Sequence, residues 1–348
     1  MSKPIPTTRI EPVEIMRPGT SSCQGCGHGI IARNAMKTFG NNTCFISVPG
    51  CIWITIQRSI PLYWTGTSFQ GGAALLSGIT NALQAQGNTE TNVVAFVGDG
   101  GTADIGMQGL SAAAERNENF FWLCADNHAY MNTGGQRSGA TPKYAATTTT
   151  PIGVASRGKK TWGKNLPFIF AAHHVPYVGT ASVGNVNDMV GKIDYAKGIY
   201  GFKFLQIQSP CPTGWGFDPS QTVKIAKLMT DTGLWPLYEV VDGTFHLNYK
   251  PKELRPVSEA LKPQRRIRHL TDDEVSEFQE IYVFQQMGSA SESGRQTPPN
   301  LITSNTLFFS CLTTTHYCSH LVYPSSMKYP LNTLSQQYLG CYILQKTA

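Results

Sequence analysis

The clearest chemical signal in this sequence is an acidic, glycine-rich turn that is followed 28 residues later by an amide. The apolar run 93–97 leads into Asp99, and a second apolar run, 120–125, leads into Asn127. Carboxylate and amide oxygens are hard ligands of the kind that Mg²⁺ takes, usually together with waters and phosphate oxygens. The carbonyl of Ala129 can supply a third protein oxygen. The spacing therefore predicts a magnesium site that also receives a diphosphate.

The glycines around Asp99 suit the same site. They let backbone N–H groups approach a phosphate, and the helix predicted over 105–117 adds a favourable dipole at its N-terminus. A plain strand-to-helix turn is the alternative, because Gly-Asp-Gly by itself is common. Asn132, the candidate catalytic residue, follows the metal loop, where a polar side chain would meet the reacting end of a cofactor. The predicted cofactor-binding residues are Gly98, Asp99, Gly100, Gly101, Asn127, Ala129, Asn132 and Thr133.

Four of the nine cysteines form a second candidate site. Cys23 and Cys26 make a Cys-x-x-Cys pair, whereas Cys51 and Cys211 are distant single residues that each follow a predicted strand. Four thiolates can hold either a structural zinc ion or a [4Fe–4S] cluster. Structural zinc favours two close pairs, so one pair with two single residues beside a diphosphate site favours a redox cluster. Four unligated thiols are the remaining alternative.

Other residues with chemical potential have ordinary structural interpretations. Cys44 and Cys124 lie inside apolar runs, and we expect them in the core. His28 follows the Cys-x-x-Cys pair, and a capping or supporting role is favoured over catalysis as a base. The histidine pair 173–174 lies on an apolar stretch and is expected to be structural. Trp215 could shield a cofactor, but aromatic residues belong to cores more often than not.

The elements that must position these residues alternate between strands and helices. Strands are predicted over 44–48, 93–97, 120–125, 175–181 and 202–207, and helices over 30–39, 71–86, 105–117, 186–196 and 220–230. This alternation predicts an α/β fold in which a mostly parallel, twisted sheet carries helices on both faces. Ligands of such sheets bind at the carboxyl ends of the strands. Cys51, Asp99, Asn127 and Cys211 all follow such ends, which predicts one shared site.

Composition divides the chain into three parts. Residues 1–20 carry prolines and are expected to form an extended arm on the domain's own surface or on a partner. The predicted cofactor domain spans 21–285. Within it, the polar stretch 131–165 is long enough to be a functional loop or lid, and 236–249 suggests a short hairpin. Residues 286–348 form an atypical tail with few charged residues, and we assign them no function.

Bulk properties exclude several classes of protein. The 348-residue chain has no apolar run near the 18 residues of a membrane span, and its N-terminus lacks an apolar signal segment, so we expect a cytoplasmic protein without membrane association. The net charge of +6 is not gathered in one run, which argues against nucleic-acid binding and leaves docking of an acidic protein as a weaker alternative. The odd number of cysteines argues against a disulfide framework.

Taken together, the motifs resemble those of the β subunit of 2-oxoacid:ferredoxin oxidoreductases, most closely pyruvate:ferredoxin oxidoreductase (pyruvate synthase). The matching segments lie between residues 20 and 283 and read CQGCGHG, VPGC, GDGGTADIG, ADNHAYMNTGGQRSGATP, TTTTPIG and SPCPTGWG. The resemblance implies a thiamine-diphosphate-binding fold in which Mg²⁺ holds the cofactor through Asp99, Asn127 and the Ala129 carbonyl. It also implies a [4Fe–4S] cluster bound by Cys23, Cys26, Cys51 and Cys211.

The same resemblance implies a reaction, in which a 2-oxoacid, expected to be pyruvate, is decarboxylated oxidatively to acyl-CoA and CO₂ while electrons pass to ferredoxin. The alternatives are a relative that acts on oxalate or on an aryl or branched 2-oxoacid, a non-redox thiamine-dependent decarboxylase subunit, and a zinc-stabilised binding module.

Part of the machinery of this family lies outside the β subunit. The carboxylate that activates the thiamine ring, the coenzyme A region and further clusters belong to other subunits, of the α, γ and δ type. We therefore expect a hetero-oligomer whose cofactor pocket lies at a subunit interface, and we nominate no glutamate in this chain. Residues 286–348 depart from the family pattern.

Overall fold

The structure, a computed structural model, describes residues 1–10 and 14–287, with side chains described up to residue 280. Its α-helices are α1 (His28–Phe39), α2 (Cys51–Ile56), α3 (Gly72–Ala85), α4 (Met107–Glu115), α5 (Leu166–Ala171), α6 (Val186–Lys197), α7 (Pro212–Trp215), α8 (Thr222–Asp231), α9 (Ser258–Leu261) and α10 (Asp272–Met287). Its strands are β1 (Thr43–Ser47), β2 (Trp64–Gly66), β3 (Asn92–Gly98), β4 (Phe121–Asp126), β5 (Ile152–Gly153), β6 (Ser156–Arg157), β7 (Tyr177–Ser182), β8 (Lys203–Gln208), β9 (Tyr238–Val241) and β10 (Thr244–Leu247). The predicted tail, from residue 288 onward, lies outside the described residues, and the three-part division of the chain stays a prediction.

One eight-stranded sheet in the order β10-β9-β7-β8-β4-β3-β1-β2 organises the described residues. The strands from β7 to β2 in this order run parallel, and β9 and β10 form an antiparallel hairpin at one edge. Every residue of β1, β4, β7 and β8 is buried, as expected for parallel strands that are covered on both faces. The predicted α/β fold with a mostly parallel sheet is therefore confirmed.

Alternate residues of the central strands feed two separate cores. On β3, Val94 and Phe96 join the core that contains the buried faces of α1 and α6, whereas Ala95 and Val97 join the core that contains Leu110 of α4. This division follows from the two-residue period of a strand, which sends successive side chains to opposite faces. Helices consequently cover both faces of the sheet. None of the helices in the described part of the chain is both long and apolar enough to cross a bilayer.

The order of the strands places four loops side by side. β1, β3, β4 and β8 are consecutive neighbours in the sheet, and they run in the same direction. The segments that follow these strands carry Cys51, Asp99, Asn127 and Cys211, respectively. Neighbouring strands lie about 4.8 Å apart, so each of these segments begins within contact distance of the next one along the sheet. The two cysteine loops therefore flank the two loops with the predicted magnesium ligands.

The arm 1–20, where it is described, lies on the domain's own surface. The backbone N–H of Ile5 donates to the Asn187 carbonyl at 2.9 Å, next to the start of α6. Ile15 is buried in the core that α1 and α6 share. The described part of the arm therefore packs against the domain of its own chain.

Lys203, the first residue of β8, carries a buried ammonium group. Its Nζ donates to Asn119 Oδ1 at 2.7 Å and to the Ile199 carbonyl at 2.9 Å, and both partners are neutral. Burial without a compensating charge lowers the pKa of Lys203 from 10.5 to about 7. The folded protein therefore binds this proton less tightly than the unfolded chain does.

We expect Lys203→Met to flatten the dependence of the free energy of unfolding on pH. Between the folded pKa of about 7 and the unfolded value of 10.5, the unfolded chain holds this proton more often than the folded protein does. Wild-type stability should therefore rise with pH in this window, by up to about 1.4 kcal/mol per pH unit from this group. Urea denaturation at several pH values in this window measures the slope. The exposed Lys160→Met is the control, and parallel curves for Lys203→Met and wild type would refute the effect.

Candidate functional site

Asp99 follows β3 with its carboxylate buried. Its Oδ2 accepts a 2.5 Å hydrogen bond from Ser138 Oγ, and its Oδ1 accepts one of 3.4 Å from the backbone N–H of Asn127. Burial raises the pKa of Asp99 well above its usual range, and the nearby Asp126 carboxylate raises it further. A bound cation acts in the opposite direction, because it favours the ionised carboxylate. The position is therefore one where a carboxylate gains from a cation.

The amide of Asn127 reaches the two other oxygens that the sequence nominated. One end of this amide lies 2.8 Å from the Ala129 carbonyl oxygen and 3.1 Å from Asp99 Oδ1. With its nitrogen at this position, the amide donates a hydrogen bond to both oxygens. With its oxygen there, three oxygens converge, an arrangement that becomes favourable around a cation.

The spacing of these atoms is compatible with magnesium. Octahedral Mg²⁺ with bonds of about 2.05 Å separates adjacent ligand oxygens by about 2.9 Å. The separations of 2.8 and 3.1 Å from the Asn127 amide fall on either side of that value. The residues present therefore fit an octahedral cation that takes three ligands from this chain and leaves the remaining positions to phosphate oxygens and water.

The three glycines of the turn that contains Asp99 differ in the space around them. A Cβ on Gly100 would lie 2.3 Å from the ring of Tyr130, and one on Gly101 would lie 2.9 Å from Val97. The Tyr130 hydroxyl also donates to the Gly100 carbonyl at 2.9 Å, so these two glycines have a packing reason within the chain. A Cβ on Gly98 would meet nothing within 4 Å. Among the three glycines, Gly98 is the one whose surroundings leave room for a ligand to approach.

Asn132 and Thr133 lie at the surface of this chain. The loop that carries them is closed by pairing of Tyr130 with Gln136, and Thr133 Oγ1 donates to Gln136 Oε1 at 2.7 Å. Both side chains are exposed. The structure therefore places them beside the Asn127–Ala129 segment, but leaves their predicted contacts to groups outside this chain.

The four cysteine thiols lie close enough to influence one another. Burial, together with the charges of the other three thiols and of Asp99, raises the pKa of Cys51 to about 12. Burial likewise raises the pKa of Cys26 to about 11, with the neighbouring backbone N–H of His28 acting in the opposite direction and Cys211 and Cys23 adding to the rise. Cys23 is exposed and the other three are partly buried. This clustering is consistent with the prediction from the sequence that these distant cysteines lie close together.

The thiols do not meet at a single point. No three His, Cys, Asp or Glu side chains in the described residues converge tightly enough to hold one metal ion. A tetrahedral zinc ion with Zn–S bonds of about 2.3 Å requires sulfur atoms about 3.8 Å apart. A four-iron cluster is larger and keeps its thiolates farther apart. The thiols of the described residues are therefore not arranged for a single zinc ion.

Packing rather than sequence proximity brings the Cys-x-x-Cys turn to Cys211. Gly25 has a φ of +70°, and a Cβ there would lie 2.2 Å from the Pro219 carbonyl oxygen. Thr222 Oγ1, at the start of α8, donates to the Gly25 carbonyl at 2.6 Å. A Cβ on Gly27 would lie 2.6 Å from Ser209 Oγ, just before Cys211. Two close backbone approaches thus dock this turn on the segment that follows β8.

Ser138 is a site residue that sequence reasoning missed. The polar stretch 131–165 folds over the carboxyl ends of β3 and β4. There Ser138 donates to Asp99, and Thr141 Oγ1 donates to the His128 carbonyl at 2.6 Å. Gly139 N–H donates to Asp104 Oδ2 at 2.8 Å, which fastens the stretch to the helical turn after β3. The length of the stretch indicated a functional segment, but nothing local singled out its serine.

A stack of three buried side chains was also missed. His128 stacks on Trp215 with ring centroids 4.9 Å apart, and the Arg266 guanidinium lies 3.6 Å from the centroid of the Trp215 ring. Trp215 Nε1 donates to the Asn127 carbonyl at 2.8 Å. The interpretation of Trp215 as a core residue is confirmed, and it has the added role of connecting the Cys211 segment to the Asn127 loop. Arg266 lies in a basic segment without a recognisable motif, which gave no signal.

The remaining candidates have mixed outcomes. Cys44 and Cys124 are buried in the core, as predicted. His173 has a structural role, because its ring nitrogens contact Ser111 Oγ at 2.7 Å and the Ile169 carbonyl at 2.8 Å. His28 begins α1 but does not cap it, and neither of its buried ring nitrogens has a hydrogen-bond partner among the described residues.

Comparison with known proteins first gives the class. A family profile described as "Thiamine pyrophosphate enzyme, C-terminal TPP binding domain" matches residues 54–207. This range includes the three converging oxygens and excludes all four clustered cysteines. The fold and the Asp99–Asn127 site thus define a thiamine-diphosphate-binding enzyme domain, and the four cysteines lie outside the matched range.

The relatives narrow this class. The chain is 46% identical over 276 residues to pyruvate synthase subunit PorB of Methanothermobacter marburgensis, a match that covers 78% of this chain and 96% of that protein. It is 38% identical to ketoisovalerate oxidoreductase subunit VorB of Pyrococcus abyssi, over 75% of this chain and 88% of that protein. Among solved structures, 2-oxoglutarate:ferredoxin oxidoreductase from Magnetococcus marinus matches with a TM-score of 0.51 and 26% identity, over 59% of this chain and 70% of that chain. The chain belongs to the β subunits of 2-oxoacid:ferredoxin oxidoreductases.

Proposed function

We propose that this chain binds magnesium thiamine diphosphate and a [4Fe–4S] cluster, and serves the oxidative decarboxylation of pyruvate to acetyl-CoA and CO₂ with ferredoxin as electron acceptor. The observation that carries the proposal is the convergence of Asp99, Asn127 and Ala129 oxygens between two loops that present cysteines. A cation site and a cluster of four thiols lie at the carboxyl ends of neighbouring strands. This arrangement suits a thiamine enzyme that must also remove electrons from its substrate.

When bound, thiamine diphosphate supplies an electron sink for the decarboxylation of a 2-oxoacid, and an iron–sulfur cluster accepts electrons. The residues of this chain hold and orient these groups. Asp99, Asn127 and the Ala129 carbonyl provide the protein ligands for magnesium. Ser138 fixes the Asp99 carboxylate through its 2.5 Å hydrogen bond, and Trp215 fixes the Asn127 backbone through its indole N–H. The open space at Gly98 would leave room for the diphosphate to approach the backbone.

The cluster ligands in this proposal are Cys23, Cys26, Cys51 and Cys211. Support comes from the mutual electrostatic influence of the four thiols. Position supports the same assignment, because the Cys51 and Cys211 loops flank the Asp99 and Asn127 loops in the sheet. Electrons released at the diphosphate cofactor would thus have an acceptor at the neighbouring loops.

Pyruvate is favoured as the substrate because four relatives named as pyruvate synthase subunits are 42–46% identical to this chain, and a fifth is 37% identical. A branched 2-oxoacid is the second candidate, since ketoisovalerate oxidoreductase subunits are 37–38% identical. Residues of the partner subunits would contribute to this choice, because Asn132 and Thr133 lie exposed at the edge of this chain. Coenzyme A and the carboxylate that activates the thiamine ring are likewise assigned to those partners.

The function is tested by anaerobic purification of the chain together with its partner subunits. We expect stoichiometric thiamine diphosphate, four iron atoms bound by this chain and ferredoxin reduction that requires both pyruvate and coenzyme A. Comparing kcat/KM for pyruvate with that for 2-oxoisovalerate decides between the two substrates. Thiamine retention without iron would support the non-redox decarboxylase instead, and zinc without thiamine would support a binding module.

We expect Asp99→Asn to weaken retention of thiamine diphosphate in the presence of Mg²⁺ by about 10-fold or more, because lost outer contacts alone cost about that much at metal sites. Equilibrium dialysis of the assembled complex measures the effect. Asp194→Asn, at a partly exposed carboxylate of α6, is the matched control and should bind normally. Normal cofactor affinity in the Asp99 variant would show that the magnesium assignment is wrong.

Replacing Cys211 by serine should remove a cluster ligand and leave the folded core intact. We expect iron and acid-labile sulfide to fall well below four atoms per chain and thiamine diphosphate to be retained. Cys44→Ala, at a buried core thiol, provides the control and should keep the full iron content. A stable four-iron cluster in Cys211→Ser would exclude this residue as the fourth ligand.

A further inference from the structure

Arg266 is a buried cation with neutral hydrogen-bond partners. Only 5% of its surface is exposed. Its Nη2 lies 2.9 Å from His128 Nδ1, and its Nε donates to Gln264 Oε1 at 3.1 Å. In the described part of the chain, no carboxylate lies within ion-pair distance of this guanidinium. A buried charge is costly unless an opposite charge offsets it, so the site should contain an anion that faces Arg266.

His128 cannot supply that anion. A guanidinium has donors only, so Nδ1 of His128 must accept the hydrogen bond and the proton of the neutral ring must lie on Nε2. The ring therefore contributes a hydrogen-bond acceptor to Arg266 and no negative charge.

The position of Arg266 indicates Cys211 as the anionic partner. The guanidinium lies over the Trp215 ring, and the backbone N–H of Trp215 donates to the Cys211 carbonyl at 2.8 Å. One helical turn therefore separates Trp215, on whose ring the cation lies, from the cysteine. Burial lowers the pKa of Arg266 to about 9, and negative charge on Cys211, Asp126 and Asp99 opposes this effect.

We propose that Arg266 is a positioning residue whose buried charge compensates the Cys211 side of the iron–sulfur cluster and raises its reduction potential. This inference rests on the proposed function. Four thiolates give the cluster a net negative charge, and reduction by one electron adds another. A fixed positive charge in a buried site is screened weakly, so it stabilises the reduced form more than the oxidised form. Stacking on Trp215 holds the guanidinium in place, and Trp215 in turn bonds to the Asn127 loop.

Two substitutions separate charge from packing. Arg266→Gln removes the charge and keeps an N–H donor for His128, whereas Arg266→Lys keeps the charge and loses the planar stack on Trp215. Arg268→Gln, at an exposed arginine of the same segment, is the matched control. All variants are purified anaerobically as complexes with the partner subunits. Iron content is measured, and the midpoint potential is obtained by redox titration of the paramagnetic signal that Cys51→Ser abolishes.

We expect Arg266→Gln to lower the midpoint potential by at least the equivalent of a 10-fold change in the ratio of reduced to oxidised cluster, about 59 mV for one electron. Arg266→Lys should retain most of the wild-type potential, and Arg268→Gln should retain all of it. If Arg266→Gln loses iron during purification, the same proposal requires Arg266→Lys to keep it.

Two results would overturn the proposal. One is an intact cluster with wild-type potential in Arg266→Gln, and the other is an equal shift or an equal loss of iron in the glutamine and lysine variants. The latter would make the role of Arg266 one of packing alone. A wild-type complex without any signal that depends on Cys51 would refute the proposed function itself, and with it the role of Arg266. A normal wild-type cluster with an unshifted variant refutes the Arg266 proposal alone.

Discussion

The buried carboxylate of Asp99 is the constraint on which the arrangement of the site depends. Asp99 follows β3 at a position where burial opposes ionisation of its carboxyl group. The surrounding polar groups partly offset this effect. Ser138 and the Asn127 backbone donate hydrogen bonds to it, and the Asn127 amide and Ala129 carbonyl approach as further ligand groups. Hydrogen bonds to the Asp99 carboxylate therefore connect the loops that follow neighbouring strands. The Asp99–Asn127–Ala129 geometry would gain stability from a cation and retains a hydrogen-bonded alternative without one.

A general cofactor fold and a more specialised addition are separable in this chain. The range that matches the thiamine pyrophosphate family, residues 54–207, contains the oxygen site but none of the four clustered cysteines. The cysteines enter through the Cys-x-x-Cys turn, the loop after β1 and the loop after β8. Because β1 and β8 lie on either side of the β3–β4 pair, these additions reach the oxygen site from both sides. Sheet order thus explains how the cysteine segments reach the oxygen site without altering the central strands.

Charge balance connects the two halves. Asp99 and Asp126 are both buried, and hydrogen bonds to His128 N–H and Gln206 support the second carboxylate. Arg266 supplies a buried positive charge on the Cys211 side, and Trp215 contacts both the cation and the Asn127 backbone. A change in charge at the cysteines would therefore act on Arg266, and Arg266 is connected through Trp215 to the Asn127 loop. This stack physically connects the Cys211 segment with the Asn127 loop.

The sequence by itself determined the classes of element and the types of ligand. Apolar runs and glycine turns are local signals, so they predicted the parallel sheet, the strand ends and the Asp99–Asn127 pair. Specific motifs supported the family. Only the tertiary structure decided that Gly100 and Gly101 serve packing while Gly98 faces open space, and that Ser138 and Arg266 reach the site from distant segments. These contacts depend on which strands become neighbours and how loops dock on them, and local periodicity contains no information about either.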